Sequence, residues 1–335
     1  MQKILVTGGC GYIGSHVTRQ LSEKGYQVTV YDNLSTGSSS ALLHGEKLIV
    51  GDLADEVMLE KVFTAHQFDV VFHFAASIVV PESVEKPLAY YENNTVNTIK
   101  LLKACSKHQV NKIIFSSTAA VYGETDKGTV TEDLPLNPAN PYAASKAMVE
   151  RIIMDVAQVT ALKYVILRYF NVAGADPLGR MGQRTPNATH LIKVACETAL
   201  HKRSKISIFG TDYHTPDGTC IRDYIHIEDL ANAHIKALEY LNGGGKSDVF
   251  NCGYGRGLSV KEVIDRVKQI SQVDFNTEIA PARAGDIAMI IASNRKIKNV
   301  MKWEPKYDDI ENIVGSALGW EKKLEAAASS QRSEV

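Results

Sequence analysis

The chain has 335 residues, 44% hydrophobic and 22% charged, with 37 Lys+Arg against 38 Asp+Glu and a formal net charge of −1. This is the composition of an ordinary globular protein, and it offers no broad basic field, so neither nucleic acid nor an anionic membrane is expected as a partner. The cysteines Cys10, Cys105, Cys196, Cys220 and Cys252 are scattered with no Cys-x-x-Cys, and no His-Glu-x-x-His occurs, so no disulfide framework or metal site is expected and a reduced, cytoplasmic setting fits.

The start, MQKILVTGG, has too short an apolar run for a secretory signal, and DVVFHFAASIVVP at 69–81 is too short to span a bilayer. Apolar runs at 4–6, 27–31, 47–50, 70–74, 112–115 and 164–167 read as strands covered on both faces. Helix-period segments lie between them: Ile13, Val17 and Leu21 share one face, and Val96, Ile99, Leu102 and Cys105 another. The β-α-β-α order predicts an α/β fold, a Rossmann-type doubly wound parallel sheet. The rhythm fades after about residue 171, which predicts a smaller, partly interleaved C-terminal substrate domain. The expected division is a nucleotide-binding part over 1–172 plus about 218–242, and a substrate-binding part over 173–217 and 243–324. EAAASSQRSEV at 325–335 reads as a disordered tail.

VTGGCGYIGSH (6–16) spaces Gly8, Gly11 and Gly14 by three, directly after the first strand and at the opening of the first helix. Such a turn needs residues without a Cβ, and the helix N-terminus offers free N–H groups and positive dipole to a pyrophosphate, with Tyr12 and Ile13 closest. Eighteen residues past Gly14, the second strand ends in Asp32, followed by Asn33. A carboxylate there accepts from ribose hydroxyls and repels a 2′-phosphate, so NAD is favoured over NADP; the bland alternative is a turn-initiating Asp. Asp52 and Leu53, after the third strand, face the adenine in this reading.

FSSTAAVYG (115–123) brings Ser116, Ser117 and Thr118 out at the carboxyl end of the fifth strand, where ligands of open parallel sheets bind. In NPYAASK (140–146), Tyr142 precedes Lys146 by four, on one helical face, with Pro141 suited to a helix start. Taken singly, these are strand-end hydroxyls and a surface tyrosine and lysine. Taken together, downstream of a dinucleotide loop, they predict an acid–base centre. A lysine ammonium and a positive nicotinamide ring would lower the tyrosine pKa from about 10, so that Tyr142 takes an alcohol proton while Thr118 hydrogen-bonds the same oxygen.

TGGCGYIG, FSSTAAVYG, YAASK and RYFNVAGAD (168–176) together resemble the extended short-chain dehydrogenase/reductase family, and most nearly its UDP-galactose (UDP-glucose) 4-epimerases, over about residues 1–322. ESVEKPLAYYENNTVNT (82–98), IFGTDYHTPDGTCIRDYIHIEDLA (208–231) and RAGD (283–286) strengthen the likeness. The resemblance implies a tightly held NAD that is recycled, UDP-galactose and UDP-glucose as substrates, Tyr142 as base, Thr118 as its hydroxyl partner, and Lys146 on the nicotinamide ribose. Phe74, Ala75, Ala76, Ser77, Asn93 and Phe170 would line the cofactor. Ile78 stands where the family often has a lysine. Arg222 and Arg283 would hold the diphosphate, Asn171 the sugar or diphosphate, and His190 and Leu191 would contact the ligand. Ser207, Ile208 and Phe209 would form the uracil wall, and Ile290 would set pocket size between UDP-hexoses and their N-acetylated forms. A homodimer is implied, through the helices around 88–108 and from Tyr142. Three rival readings are an N-acetylhexosamine epimerase, a net alcohol dehydrogenase and a catalytically silent NAD-binding sensor. A 4,6-dehydratase would place Asp-Glu where this chain has Ala119 and Ala120.

Overall fold

A computed structural model describes residues 1–125, 128–185, 188–283 and 286–333. The first half runs β1 (Lys3–Thr7), α1 (Tyr12–Glu23), β2 (Gln27–Asp32), β3 (Lys47–Val50), α2 (Glu56–His66), β4 (Val70–His73), α3 (Val80–Glu85), α4 (Pro87–Tyr90), α5 (Asn97–Lys107), β5 (Lys112–Thr118), β6 (Thr129–Val130), α6 (Pro141–Val159) and β7 (Lys163–Tyr169). The second half adds β8 (Asn171–Ala173), α7 (Leu191–Ala199), β9 (Ile206–Phe209), β10 (Ile221–His226), α8 (Ile227–Asn242), β11 (Asp248–Cys252) and β12 (Gly257–Ser259). It ends with α9 (Val260–Ser271), β13 (Thr277–Ala280), β14 (Met289–Ala292), α10 (Arg295–Met301) and α11 (Ile310–Ser333).

The main sheet is parallel, in the order β11-β7-β5-β4-β1-β2-β3. Its strands are apolar on both parities because each face has its own core. Ile4 and Val6 of β1 pack with Val17 and Leu21 of α1 and Leu230 of α8 on one side. Leu5 joins Val71, Ile113, Ile166 and the α2 residues Leu59 and Phe63 on the other. Strand order reverses at β1, with β2 on one side and β4 on the other. A crevice therefore opens beyond the carboxyl ends of β1 and β4. A smaller sheet, β12-β10-β14-β6 with β8 beside β10, stands next to it, and β9 pairs β13 separately.

Two expectations are corrected here. Residues 248–252 were placed with the substrate region, but β11 joins the main sheet, pairing Val249 with Ile166 and Phe250 with Leu167. Val249, Phe250, Asn251 and Cys252 are buried, and β7 would otherwise present an unpaired apolar edge. The segment from 325 was read as disordered, yet α11 continues to Ser333. Its Glu and Ala residues are strong helix formers that prolong a helix already anchored by Ile313, Val314 and Leu318. Residues 334–335 lie outside the described residues.

Candidate active site

The glycine loop is built for close approach. Gly8 has φ +73°, and its N–H donates to the Tyr31 carbonyl at 2.9 Å. A Cβ on Gly8 would lie 2.6 Å from the Ala75 nitrogen, and one on Gly14 would lie 2.1 Å from the Gly8 oxygen. At Gly11 the only neighbour of a Cβ would be the Gly8 oxygen at 3.3 Å, so that glycine keeps the loop surface open rather than the core packed. Gly11 precedes α1, which has no side-chain cap. Its first N–H groups are thus left for an anion, and the cradle fits a dinucleotide pyrophosphate. The Tyr12 hydroxyl is used structurally, donating to the Gly174 carbonyl at 2.6 Å.

Asp32 is fixed at the end of β2, its carboxylate accepting from the Cys10 N–H at 2.9 Å and the Leu34 N–H at 2.8 Å. Asn33 donates to the Asp52 carboxylate at 2.8 Å, which unites the ribose and adenine candidates, with Leu53 buried behind them. After β4, the N–H groups of Phe74 and Ala75 both donate to the Thr7 carbonyl, laying 74–77 across the loop. Ser77 is then clamped. Its N–H donates to Asn94 Oδ1 at 2.8 Å, and its hydroxyl accepts from Asn93 Nδ2 at 2.9 Å. Asn94 also donates to the Ser77 carbonyl and to Ser145. Asn94 was not anticipated from the sequence. Tyr91–Val96 form a wide π turn between α4 and α5, and this is what lets two consecutive asparagines reach one loop.

β5 runs three residues beyond its expected end, to Thr118, with Ser116, Ser117 and Thr118 buried. α6 starts at Pro141, capped by the Asn140 side chain, which accepts from the Ala143 N–H at 2.9 Å. Tyr142 and Lys146 are 8% and 3% exposed. Lys146 donates to the Ser116 carbonyl at 3.0 Å and lies over the Phe115 ring. Tyr142 hydrogen-bonds Thr118. The three anticipated groups therefore meet at the carboxyl end of β5.

Their electrostatics are set first by burial. Burial, with a smaller contribution from Tyr169, raises the Tyr142 pKa well above its ordinary value, and the Thr118 hydrogen bond pulls the other way. Burial also brings Lys146 down from 10.5 to about 7, against an opposing pull from Glu150. Desolvation thus outweighs the Thr118 hydrogen bond, and the protein's own groups hold the tyrosine as a phenol. Burial pushes the Cys10 thiol up to about 12, Asp32 adding to it, and burial also raises Cys220. Neither loop cysteine is an activated thiolate.

On the substrate side, Phe170 and Ile290 share an apolar cluster with Ala119, Val121 and Tyr122, the residues directly after Thr118. Ile290 stands opposite Arg222 in the β10–β14 register. Arg222 donates to the Ile221 carbonyl at 2.9 Å, and Asp286 lies in the field of both Arg222 and Arg283. The Arg283 guanidinium lies over the Phe209 ring, 3.5 Å from its centre. Asn171 is exposed on β8 and hydrogen-bonds Tyr224. Ser207 and Phe209 alternate on one side of β9, and Ser207 donates to Glu278 at 2.7 Å. Ile208 is buried on the opposite side of β9 from Ser207 and Phe209. His190 is exposed before α7 and hydrogen-bonds Gln183, with Leu191 the first helical residue. Sequence reasoning also missed Asp223, whose carboxylate accepts from the N–H groups of Tyr254, Gly255 and Ala292. Its signal was its place in RDYIH.

A parallel sheet with a glycine cradle at its switch point, and a Tyr–Lys–Thr group two strands away, defines a nucleotide-dependent enzyme of sugar or alcohol chemistry. The chain belongs to the NAD dependent epimerase/dehydratase family, matched over residues 4–253. It is 51% identical to the UDP-glucose 4-epimerase of Azospirillum brasilense over 323 residues, 96% of this chain and 93% of that one. A crystal structure of a UDP-glucose 4-epimerase superposes with a TM-score of 0.93 at 46% identity, covering 96% of this chain and 98% of the other. The UDP-Glc/GlcNAc 4-epimerase of Campylobacter jejuni is 51% identical with a TM-score of 0.85, covering 96% and 100%.

Proposed function

We propose that this protein is an NAD-dependent enzyme that interconverts UDP-galactose and UDP-glucose by inverting C4 of the sugar. The observation that carries this reading is the buried Thr118–Tyr142–Lys146 group beside the glycine cradle, in a chain similar to UDP-glucose 4-epimerases over 96% of its length. Bound NAD supplies a reversible hydride acceptor and a positive ring that favours phenolate over phenol. Tyr142 takes the 4-hydroxyl proton and later returns it, while Thr118 holds the same oxygen. Lys146, fixed on the Ser116 carbonyl, orients the ribose and keeps a positive charge near the phenol oxygen. Gly11 and the first N–H groups of α1 hold the pyrophosphate, and Asp32 the adenosine ribose. Arg222 and Arg283 bind the sugar nucleotide's diphosphate, for which a planar guanidinium is suited. The Phe170–Ile290 wall gives the sugar few polar anchors, so a 4-keto sugar is free to turn over and receive hydride on its other face.

The main sheet with its helices forms the cofactor part, now including β11, and β9, β13 and the loops around them form the sugar-nucleotide part. Exposed Val84, Leu88, Val96 and Met148 on α3 to α6 support pairing of two copies there. All five cysteines are free, and among the described residues no helix is long and apolar enough to cross a membrane, in keeping with a cytoplasmic setting.

A second reading, action on N-acetylated UDP-hexosamines as well, is favoured by Ile290. It is smaller than an aromatic and leaves the wall intermediate in reach. Incubation with UDP-galactose and, separately, UDP-N-acetylgalactosamine, followed by NMR of the anomeric protons, tests both. Conversion of the first only supports the main reading, and conversion of both supports dual specificity. No conversion of either, with NAD supplied, refutes the assignment.

A further inference from the structure

We infer that Glu150 is a positioning residue for the acid–base pair. Its carboxylate ties Ser117, at the end of β5, to α6 and sets a fixed negative charge one helical turn beyond Lys146. The inference rests on the reading of Tyr142 and Lys146 given above.

Tyr142, Lys146 and Glu150 stand four apart on α6 and are all buried, so they form one file facing β5 and β7. The Glu150 carboxylate is fully used. It accepts from the Ser117 hydroxyl and, from β7, from Arg168 Nε at 3.1 Å and Nη2 at 2.6 Å. Arg168 is itself seated, donating to the Tyr122 hydroxyl at 3.0 Å and the Glu132 carbonyl at 3.4 Å. Tyr122 in turn donates to Asn251 of β11. Ser117 sits between the two residues the chemistry uses: Ser116, whose carbonyl holds Lys146, and Thr118, which hydrogen-bonds Tyr142. Pulling Ser117 toward α6 therefore sets the height of both neighbours against the helix.

The charge matters as well as the tether. Lys146 is fully desolvated, and Glu150 is the group that favours its ammonium form. From β4, His73 faces the same lysine, but burial holds that imidazole neutral with a pKa of about 3, its nitrogens hydrogen-bonded to Thr7 and Thr98. From β7, Arg168 stays charged and Tyr169, pushed by burial to about 12, stays a phenol at neutral pH. On the far side of Arg168, Glu132 accepts from the Asn251 N–H, with a carboxyl that burial raises above its ordinary value. Lys146, brought down to about 7, is then the group near Glu150 whose protonation changes around neutral pH.

The test is the pH dependence of turnover of UDP-galactose by the NAD-loaded protein, in the wild type and in E150Q. Bound nucleotide and melting temperature serve as controls. The expected result is an alkaline limb that moves to lower pH by about one unit, as Lys146 loses its partner charge, with kcat lowered more than KM is changed. A limb that superposes on the wild type overturns the inference, because a purely structural carboxylate would not set it. If E150Q does not fold, the double variant E150Q/R168Q leaves no unpaired buried charge and is read the same way. S117A keeps every charge and removes only the tether. It should lower kcat without moving the limb, and an unchanged kcat overturns the tether. A wild type that converts no UDP-sugar fails the functional reading itself, which is a separate outcome from a pH limb that does not move.

Discussion

Lys146→Met should make the protein more stable while abolishing its turnover. The lysine is 3% exposed, and burial brings its folded pKa to about 7 against 10.5 for the free side chain. That gap corresponds to about 5 kcal/mol of unfavourable charge burial at and below neutral pH. Methionine has a similar length and needs no proton. It forfeits the hydrogen bond to the Ser116 carbonyl, which costs about 1 kcal/mol. The variant should therefore gain about 3 to 4 kcal/mol at pH 6. Between pH 7 and 10.5 the unfolded wild type holds the lysine proton and the folded one releases it, so wild-type stability rises with pH through that window. The advantage of methionine should shrink by about 1.4 kcal/mol per pH unit and vanish near about pH 10. Urea unfolding at pH 6, 8 and 10, followed by the fluorescence of the buried Trp303 and Trp320 at matched nucleotide content, measures it. A difference that is flat with pH, or a variant less stable than wild type at pH 6, refutes the reasoning.

Three further outcomes are expected. Tyr142→Phe keeps the ring volume and the fold but removes the proton acceptor, so conversion of UDP-galactose should fall by about 10³-fold or more; activity within tenfold of wild type would contradict the assignment. Gly14→Ala places a Cβ 2.1 Å from the Gly8 oxygen, a backbone atom with no freedom to yield, so the purified protein should lose its 260 nm nucleotide absorbance and melt earlier. Ile290→Ala opens the wall beside Phe170 and should raise the kcat/KM ratio of UDP-N-acetylgalactosamine to UDP-galactose by about tenfold, whereas Ile290→Tyr should lower it.

Six of the seven main-sheet strands were legible because each is apolar on both parities, a pattern that follows from cores on two faces. β11 was not. It is an edge strand of five residues, DVFNC, whose role depends on a partner some eighty positions earlier, and local pattern carries no such information. In the candidate site, spacing and topology singled out Gly8, Gly14, Asp32, Thr118, Tyr142 and Lys146. The supports around them were hidden for different reasons. Asn94 needs a π turn to reach Ser77. Glu150 reads as one more helix carboxylate until Arg168 and Ser117 close on it. The burial that raises the Tyr142 pKa in the protein's own groups was hidden too, because charge proximity is visible in a sequence and burial depth is not.

β11 also bears on how the molecule comes apart. The chain leaves the main sheet after β7, builds β8 to β10 in the neighbouring sheets, and only then returns to complete the edge beside β7. A fragment stopped near residue 242 would carry the whole glycine cradle and the Tyr–Lys pair, yet would present β7 as a bare strand with Val165, Ile166 and Leu167 in it. Such an edge is a template for other chains, so the fragment should associate rather than survive as a monomer. The closing strand makes the late part of the chain a condition for the early part's solubility, and the protein should unfold in a single transition instead of shedding its sugar-nucleotide region first.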